Sequence, residues 1–155
     1  MTLKLRKADR EDALALLELY LHLSQDNHPI SEAEAQKILS DIELYPNSAV
    51  LVGEVEKQIV ASVTIIVIPN LTRSGRPYAI IENVVTHKDH RRNGYASILL
   101  DAASERAWTH GCYKIVLTTG SKSPQTLAFY GRAGFEQSRT GFQKRNVPPR
   151  LEQNG

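Results

Sequence analysis

The chain has 155 residues, of which 41% are hydrophobic and 23% charged, with 19 Lys and Arg against 17 Asp and Glu. This length is close to the commonest size of one domain and leaves no room for two independent cores. The formal net charge of +2 is too small for nucleic-acid or membrane-surface binding by bulk electrostatics, so a basic function requires a local cluster.

Cysteine content and the chain start bear on the compartment. The single cysteine, Cys112, excludes an intramolecular disulfide framework and a multi-cysteine zinc site. The first ten residues lack the apolar stretch that a secretion signal needs after its positive charges. The longest apolar run, residues 59–68, is far shorter than the ~20 residues of a membrane-spanning helix. These features predict a cytoplasmic protein.

The first part of the chain predicts one short strand and two helices. Residues 3–6 alternate apolar and basic side chains, as in a strand, and Asp9 then offers a helix N-cap. The second helix opens with a capping box formed by Ser31 and Glu34. Each helix carries an apolar stripe with helical spacing. The stripes are Leu16, Leu19, Tyr20 and Leu23 in the first helix and Ala35, Ile38, Leu39 and Ile42 in the second.

Three strands follow without an intervening helix, which predicts an antiparallel meander. Residues 49–55 and 59–68 are β-branched runs, and the short break between them predicts a hairpin, although it lacks the favoured Asn-Gly turn. A loop over residues 69–77 leads to the third strand, residues 78–86.

The second half of the chain predicts a helix, a strand and a short helix. The helix covers residues 94–109, and residues 114–118 form a buried strand. Ser123 followed by Pro124 starts the last helix, which Gly131 or Gly134 ends. A final strand around Phe135 and Phe142 is expected to follow.

This order of elements predicts an α/β (α+β) fold. The strand, helix and strand over residues 78–118 imply a parallel crossover beside antiparallel hairpins, so the sheet is mixed and mainly antiparallel, with helices on both faces. We expect one domain over residues 1–145 and a flexible tail over residues 146–155.

The segment between the third meander strand and the long helix carries the most informative motif. Arg91 and Arg92 precede Gly94 at the start of a well-patterned helix. Free backbone N–H groups, the helix dipole and guanidinium donors can converge there on one anion, and a pyrophosphate suits this geometry. Gly94 opens the backbone to phosphate oxygens, and Ala96 keeps the next approach narrow. A solvated loop before a helix is the alternative interpretation of these residues.

A second motif places Tyr130 on the short last helix, after Phe129 and before Gly134 and Phe135. A tyrosine hydroxyl there can donate a proton, although a core aromatic residue gives the same pattern. Together the two motifs resemble those of the GNAT superfamily of acetyl-CoA-dependent N-acetyltransferases. The first matches that superfamily's Gln/Arg-x-x-Gly-x-Gly/Ala motif through Arg91-Arg92-Asn93-Gly94-Tyr95-Ala96.

The resemblance implies acetyl-CoA as cosubstrate and no metal. It implies that the pantetheine arm lies along Val84 and Val85, where a backbone N–H stabilises the developing oxyanion. It makes Tyr130 the general acid for the departing thiolate. Ser123 stands where many members carry an asparagine that assists pantetheine binding, and its shorter side chain puts that contact in doubt. The pyrophosphate is expected on Arg91, Arg92, Asn93, Gly94, Tyr95 and Ala96.

The attacking amine also has to lose a proton, because a primary alkylammonium has a pKa of about 10.4. Glu82 is the candidate base and acceptor contact, since it is predicted to be buried on an otherwise apolar strand. Pairing with an arginine, or a place at the sheet edge, is the structural alternative. His87 and His90 lack a third distant ligand, so a metal site is not expected there.

The acceptor is expected to be a primary amine of a small molecule, such as an amino sugar or its phosphate. Arg73 and Arg76 can recognise a phosphate or carboxylate on the acceptor. An ordinary solvated loop is the alternative interpretation of these two arginines. Tyr78 is expected to be a further substrate contact. Residues 81–85 and 112–115 look similar to hexosamine-phosphate acetyltransferases. A peptide-amine acetyltransferase and a non-catalytic acyl-CoA-binding module also stay open. A nucleic-acid-binding module is a further alternative, with contacts from the basic cluster of Lys88, His90, Arg91 and Arg92. Exposed sheet edges allow a homodimer.

Overall fold

The computed structural model describes residues 2–23 and 30–149. Its backbone divides into two compact units, one up to Thr119 and one from Gly120 onward. Within these described ranges, the first unit contains five strands and three α-helices, and the second contains one α-helix. Among the described residues, no helix has both the length and the apolar character needed to cross a bilayer. The predicted domain limits remain a prediction.

Strand β1 (Lys4–Lys7) and helix α1 (Ala13–Tyr20) are joined by the predicted Asp9 cap and one 3₁₀ turn, Arg10–Asp12. The Asp9 carboxylate accepts from the Glu11 N–H at 2.8 Å. Asp12 accepts from both terminal nitrogens of Arg6, which lowers the pKa of the Asp12 carboxyl.

Helix α2 (Glu32–Leu44) begins with the predicted capping box of Ser31 and Glu34. The stripe predicted for the first helix is only partly confirmed. Leu16 and Leu19 are buried, whereas Leu23 lies beyond the end of α1 and is 39% exposed.

The sheet is mixed and mainly antiparallel, as predicted. Its spatial order is β1-β2-β3-β4-β5, with antiparallel pairing through β4 and a parallel pair between β4 and β5. Helix α3 (Tyr95–Thr109) makes the crossover between the parallel strands. The remaining strands are β2 (Ala49–Val55), β3 (Gln58–Ile68), β4 (Tyr78–Thr86) and β5 (Ile115–Leu117).

Strand β3 lies at the centre of the core, because six consecutive residues from Val60 to Ile65 are buried and both faces of the strand are therefore covered. Leu16 of α1 packs with Val50 and Val52 on one face. Helix α3 buries four residues, namely Leu99, Leu100, Ala103 and Ala107. Strand β5 is only half-buried and three residues long, so the prediction of a longer buried strand was wrong.

In the second unit, helix α4 (Pro124–Arg132) has the predicted cap, in which the Ser123 hydroxyl accepts from the Thr126 N–H at 3.2 Å. The final strand expected near Phe135 and Phe142 is not formed, and residues 133–149 lie in no helix or strand. Phe142 is 96% exposed, so its side chain gains no burial to offset the entropy of ordering a strand. Residues 150–155 of the predicted tail lie outside the described residues.

Candidate active site

Strands β4 and β5 separate partway along β4. Their parallel pairing ends at Ile81 opposite Leu117, whereas β4 continues to Thr86. Within the described residues, the last part of β4 therefore has no strand partner on its β5 side. Backbone N–H and C=O groups along such an edge can pair with an extended ligand. Val84, half-buried, and Val85, 4% exposed, both lie on this open stretch.

A β-bulge marks the point where β4 opens. Ser62 of β3 pairs with Val85 and Thr64 pairs with Glu82, so the one β3 residue between them faces two residues of β4. Asn83, one of those two, has a φ of +53°, and asparagine tolerates this left-handed conformation better than most residues. The bulge bends the strand and redirects its backbone groups.

The N-terminus of α3 offers unbonded backbone donors near the end of β4. Gly94 is the N-cap with a φ of +75° and provides no side-chain cap. The first helical bond runs from the Ile98 N–H to the Gly94 carbonyl at 3.1 Å, which leaves the N–H groups of the first helical turn without intrahelical acceptors. A Cβ added at Gly94 would meet no atom within 4 Å. This end of α3 is therefore open and suited to an anion.

The two arginines before α3 differ in what they bind. Arg91 donates from Nε to the Thr86 carbonyl and from a terminal nitrogen to the His22 carbonyl, both at 3.3 Å. Arg92 is exposed, and its guanidinium has no hydrogen-bond partner among residues 2–23 and 30–149. Arg92 is thus available to an incoming anion, whereas Arg91 braces the loop. Of the other three predicted residues of this segment, Asn93 is exposed and Tyr95 and Ala96 are half-buried.

His87 of this loop lies beside His22, which follows α1, and His90 also lies near His87. The rings of His22 and His87 are 4.1 Å apart and those of His87 and His90 are 5.6 Å apart. Desolvation, followed by the nearby His87 and Arg91, lowers the pKa of His22, which favours its neutral form. In the part of the chain that the structure describes, no group of three or more His, Cys, Asp or Glu residues could hold a metal ion.

Glu82 is exposed, so the expectation that it is buried among its apolar neighbours was wrong. It precedes the bulge and lies beside the open edge of β4, where its side chain is not covered by β5. An exposed carboxylate there is accessible to a cationic acceptor, and its role as a base remains a prediction.

Arg73 and Tyr78 belong to a cationic aromatic cluster at the start of β4. The Arg73 guanidinium lies 5.5 Å from the centre of the Tyr113 ring. The Lys114 ammonium lies 5.4 Å from the Tyr113 ring and 5.6 Å from the Tyr78 ring. At about 3.3 Å of rise per residue, Tyr78 stands about 13 Å along β4 from Glu82. Tyr113 and Lys114 were not predicted as site residues, because their sequence pattern resembles that of any strand entrance.

In the second unit, Tyr130 is half-buried and its ring packs against Phe129 at 5.0 Å and Phe135 at 6.2 Å. Burial raises the pKa of the Tyr130 hydroxyl, so the group keeps its proton at neutral pH. Ser123 donates to the Thr126 hydroxyl at 2.9 Å in addition to capping α4. Its hydroxyl is therefore already engaged, and its predicted pantetheine contact remains a prediction.

Comparison with known proteins finds a matching family and a relative that covers most of the chain. The model of the acetyltransferase (GNAT) family matches residues 14–135. A glucosamine 6-phosphate N-acetyltransferase of Trypanosoma brucei brucei is 32% identical over 135 residues, which cover 86% of this chain and 88% of the relative.

Solved structures agree with this likeness. One from Agrobacterium tumefaciens, assigned as an acetyltransferase, has a TM-score of 0.87 and 39% identity over 92% of this chain and 99% of its own. The glucosamine-6-phosphate N-acetyltransferase of Arabidopsis thaliana has a TM-score of 0.86 over 95% of this chain and 100% of its own. Its 21% identity makes it a likeness of fold alone.

Proposed function

The chain belongs to the acetyltransferase (GNAT) family, and from this premise we propose that it transfers the acetyl group of acetyl-CoA directly to a primary amine of a small molecule. The observation that carries the proposal is the open edge of β4 leading to the uncapped N-terminus of α3. An extended polar arm that ends in a pyrophosphate matches these two features in order.

Acetyl-CoA binds, in this proposal, through groups of the first unit. Its pyrophosphate accepts from the N–H groups of Tyr95 and Ala96 at the start of α3, with the exposed Arg92 as a further donor. The open Gly94 position admits the phosphate oxygens to the backbone. Asn93 is held by its bond to the His90 carbonyl at 3.0 Å and fixes the loop before the helix.

The proposed chemistry divides between backbone and side chains. The amine nitrogen forms a bond to the acetyl carbon while the carbon–sulfur bond of the thioester breaks. Backbone N–H groups at Val84 and Val85 stabilise the charge that develops on the carbonyl oxygen. Glu82 accepts the proton that the amine loses, directly or through water, and Tyr130 protonates the departing thiolate. A thiolate leaves tolerably well unaided, so the contribution of Tyr130 is modest.

We infer that the acceptor is an amino sugar phosphate. The relative from Trypanosoma brucei brucei is named for glucosamine 6-phosphate. In this chain, Arg73 lies over the ring of Tyr113, and Lys114 lies over the rings of Tyr113 and Tyr78. Tyr78 is the first residue of β4, the strand that carries Glu82. Arg76 is exposed in the same loop. Guanidinium groups bind phosphate in a bidentate manner, so this cluster can hold the phosphate while the amine reaches Glu82.

A steady-state assay of thiol release tests both parts of the proposal. Glucosamine 6-phosphate and glucosamine serve as paired acceptors, and Arg73→Ala is compared with the wild type. We expect Arg73→Ala to raise the KM for the phosphorylated sugar at least tenfold and to leave the KM for acetyl-CoA unchanged. Equal efficiency with both sugars would contradict the phosphate assignment, and no turnover with any amine would contradict the enzyme assignment.

Two further parts of the proposal concern the whole protein. A cytoplasmic location is favoured by the single, buried cysteine. For a homodimer, the candidate interface is an edge of the sheet. The β1 edge carries Lys4 and Lys7, and because charged edge residues discourage strand pairing, this edge is a poor dimer interface.

A further inference from the structure

A cluster of three hydroxyl groups joins α1 to the sheet. Tyr20, the last residue of α1, packs against the apolar cluster that contains Val50 and Val52, the β2 partners of Thr64 and Ser62, and its hydroxyl lies within hydrogen-bonding reach of these two β3 residues. Ser62 in turn donates to the Leu51 carbonyl of β2 at 3.0 Å. Ser62 is fully buried and Thr64 is 6% exposed. This hydroxyl cluster (Tyr20, Ser62 and Thr64) therefore ties one helix to two strands.

Packing alone does not account for the hydroxyl cluster. Ser62 pairs with Val52 and Thr64 pairs with Val50, and both valines belong to an apolar cluster with Leu16. Phe in place of Tyr20, Ala in place of Ser62 and Val in place of Thr64 would fill similar volumes and carry no hydroxyl group. Removing a hydroxyl group from water is costly unless the group is hydrogen-bonded in the protein. A fully bonded polar network instead fixes one local arrangement.

The arrangement in question is the bulge of β4. Ser62 and Thr64 are the β3 residues that pair on either side of it, with Val85 and Glu82. A bulge disrupts the ladder, and a one-residue slip of the pairing turns every following side chain to the other face. Fixing Ser62 and Thr64 from the α1 side therefore opposes such a slip at the one place where β4 is irregular.

We propose that Tyr20 is a positioning residue for acetyl transfer: through Ser62 and Thr64, its hydroxyl holds the bulge and so aims the N–H groups of Val84 and Val85. Tyr20 acts through β3 and β4 and forms no bond to either substrate. Its effect on rate rests on the proposed function, whereas its effect on the bulge does not.

Tyr20→Phe and Thr64→Val remove the hydroxyls and keep the side-chain volumes. We expect each to lower kcat on the order of tenfold, because small displacements of reacting groups cost large factors in rate. The KM for acetyl-CoA should change less than twofold. The double variant should lose no more than the larger single loss, because both changes break one shared network.

Leu16→Val is the matched control, since it removes one methylene group from the same face of α1. It should lower the melting temperature and keep the wild-type kcat at 25 °C. If Leu16→Val lowers kcat as much as Tyr20→Phe does, general loosening explains the loss and the proposal is overturned.

Amide hydrogen exchange in the free protein supplies a readout that needs no turnover. We expect exchange at Val84 and Val85 to accelerate several-fold in Tyr20→Phe and to stay unchanged in Leu16→Val. Unchanged exchange in both Tyr20→Phe and Thr64→Val would overturn the proposal. Absence of acetylation by the wild type would remove the proposed function while leaving this exchange test intact. If Tyr20→Phe fails to fold, Thr64→Val carries the same comparison.

Discussion

At the scale of single residues, the environment of Tyr130 favours the role of proton donor that we propose for it. Burial raises the pKa of Tyr130, so the fraction of the phenol that carries its proton at neutral pH is larger than for a free tyrosine. The midpoint of proton loss therefore lies above the ordinary tyrosine pKa of about 10. Tyr130 should therefore impose no loss of rate between pH 7 and 9.

Tyr130→Phe tests this role. We expect kcat to fall about tenfold, which is below the usual range for general acid catalysis, because the thiolate is a good leaving group. The KM for acetyl-CoA should be nearly unchanged. Steady-state kinetics from pH 6 to 10 measure both parameters. A variant with wild-type kcat would mean that water or another group protonates the thiolate.

Gly94 is the residue on which the proposed pyrophosphate site depends most. Gly94→Val adds a side chain where the proposed phosphate lies and strains a backbone with a φ of +75°. We expect acetyl-CoA affinity, measured by calorimetry, to fall more than a hundredfold.

Gly75→Val is the matched control for Gly94→Val. Gly75 has a φ of +74°, and an added Cβ there also meets no atom within 4 Å, but Gly75 is far along the chain from the α3 N-terminus. It should lose a similar amount of stability and keep its affinity for acetyl-CoA. Equal loss of affinity in both variants would trace the effect to strain instead of to the phosphate site.

Residue-level prediction from sequence succeeded where the determinant is local. The caps at Asp9, Ser31 and Ser123 each depend on a side chain and a backbone N–H two or three residues away. The exposure of Glu82 and the engagement of Arg91 with His22 depend on contacts across strands and between distant segments. No local pattern encodes such contacts.

At the scale of elements, the hairpin between β2 and β3 was predicted in spite of its unfavourable turn. Glu56 and Lys57 form a two-residue turn in which both φ angles are positive, +50° and +66°. This is the geometry that Asn-Gly favours. The pairing of apolar residues between β2 and β3 therefore outweighs the strain of the turn.

Glu56→Asn combined with Lys57→Gly should relieve that strain. We expect the free energy of unfolding to rise by about 1 kcal/mol, because left-handed backbone costs a non-glycine residue about that much. Urea denaturation measures the gain. Glu56→Ala with Lys57→Ala removes the same charges without the turn chemistry and should give no gain, and an equal gain there would point to electrostatics.

The elements that the sequence did not predict correctly are the last two expected strands. The predicted strand over residues 114–118 shortens to Ile115–Leu117, and no strand forms around Phe142. Both depend on whether a neighbouring strand supplies pairing and burial, which is a property of the folded sheet. The bulge at Asn83 is likewise a matter of register between strands and leaves no signal within β4 alone.

At the scale of the whole molecule, sequence patterns gave the mixed sheet, its parallel crossover and the long helix after the third meander strand. These follow from the order and periodicity of elements, which are encoded along the entire chain. The family model matches residues 14–135, a range that includes the motif in residues 91–96. The choice of acceptor is set by a few exposed side chains, and the fold does not determine it.

We propose that the open edge of β4 and the N-terminus of α3 together hold acetyl-CoA, and a crystal structure of the protein with acetyl-CoA would show whether they do. We expect the pyrophosphate to accept hydrogen bonds from the Tyr95 and Ala96 N–H groups and the pantetheine arm to lie along Val84 and Val85. A pyrophosphate bound away from the first turn of α3, with the edge of β4 left uncovered, would rule out this binding mode.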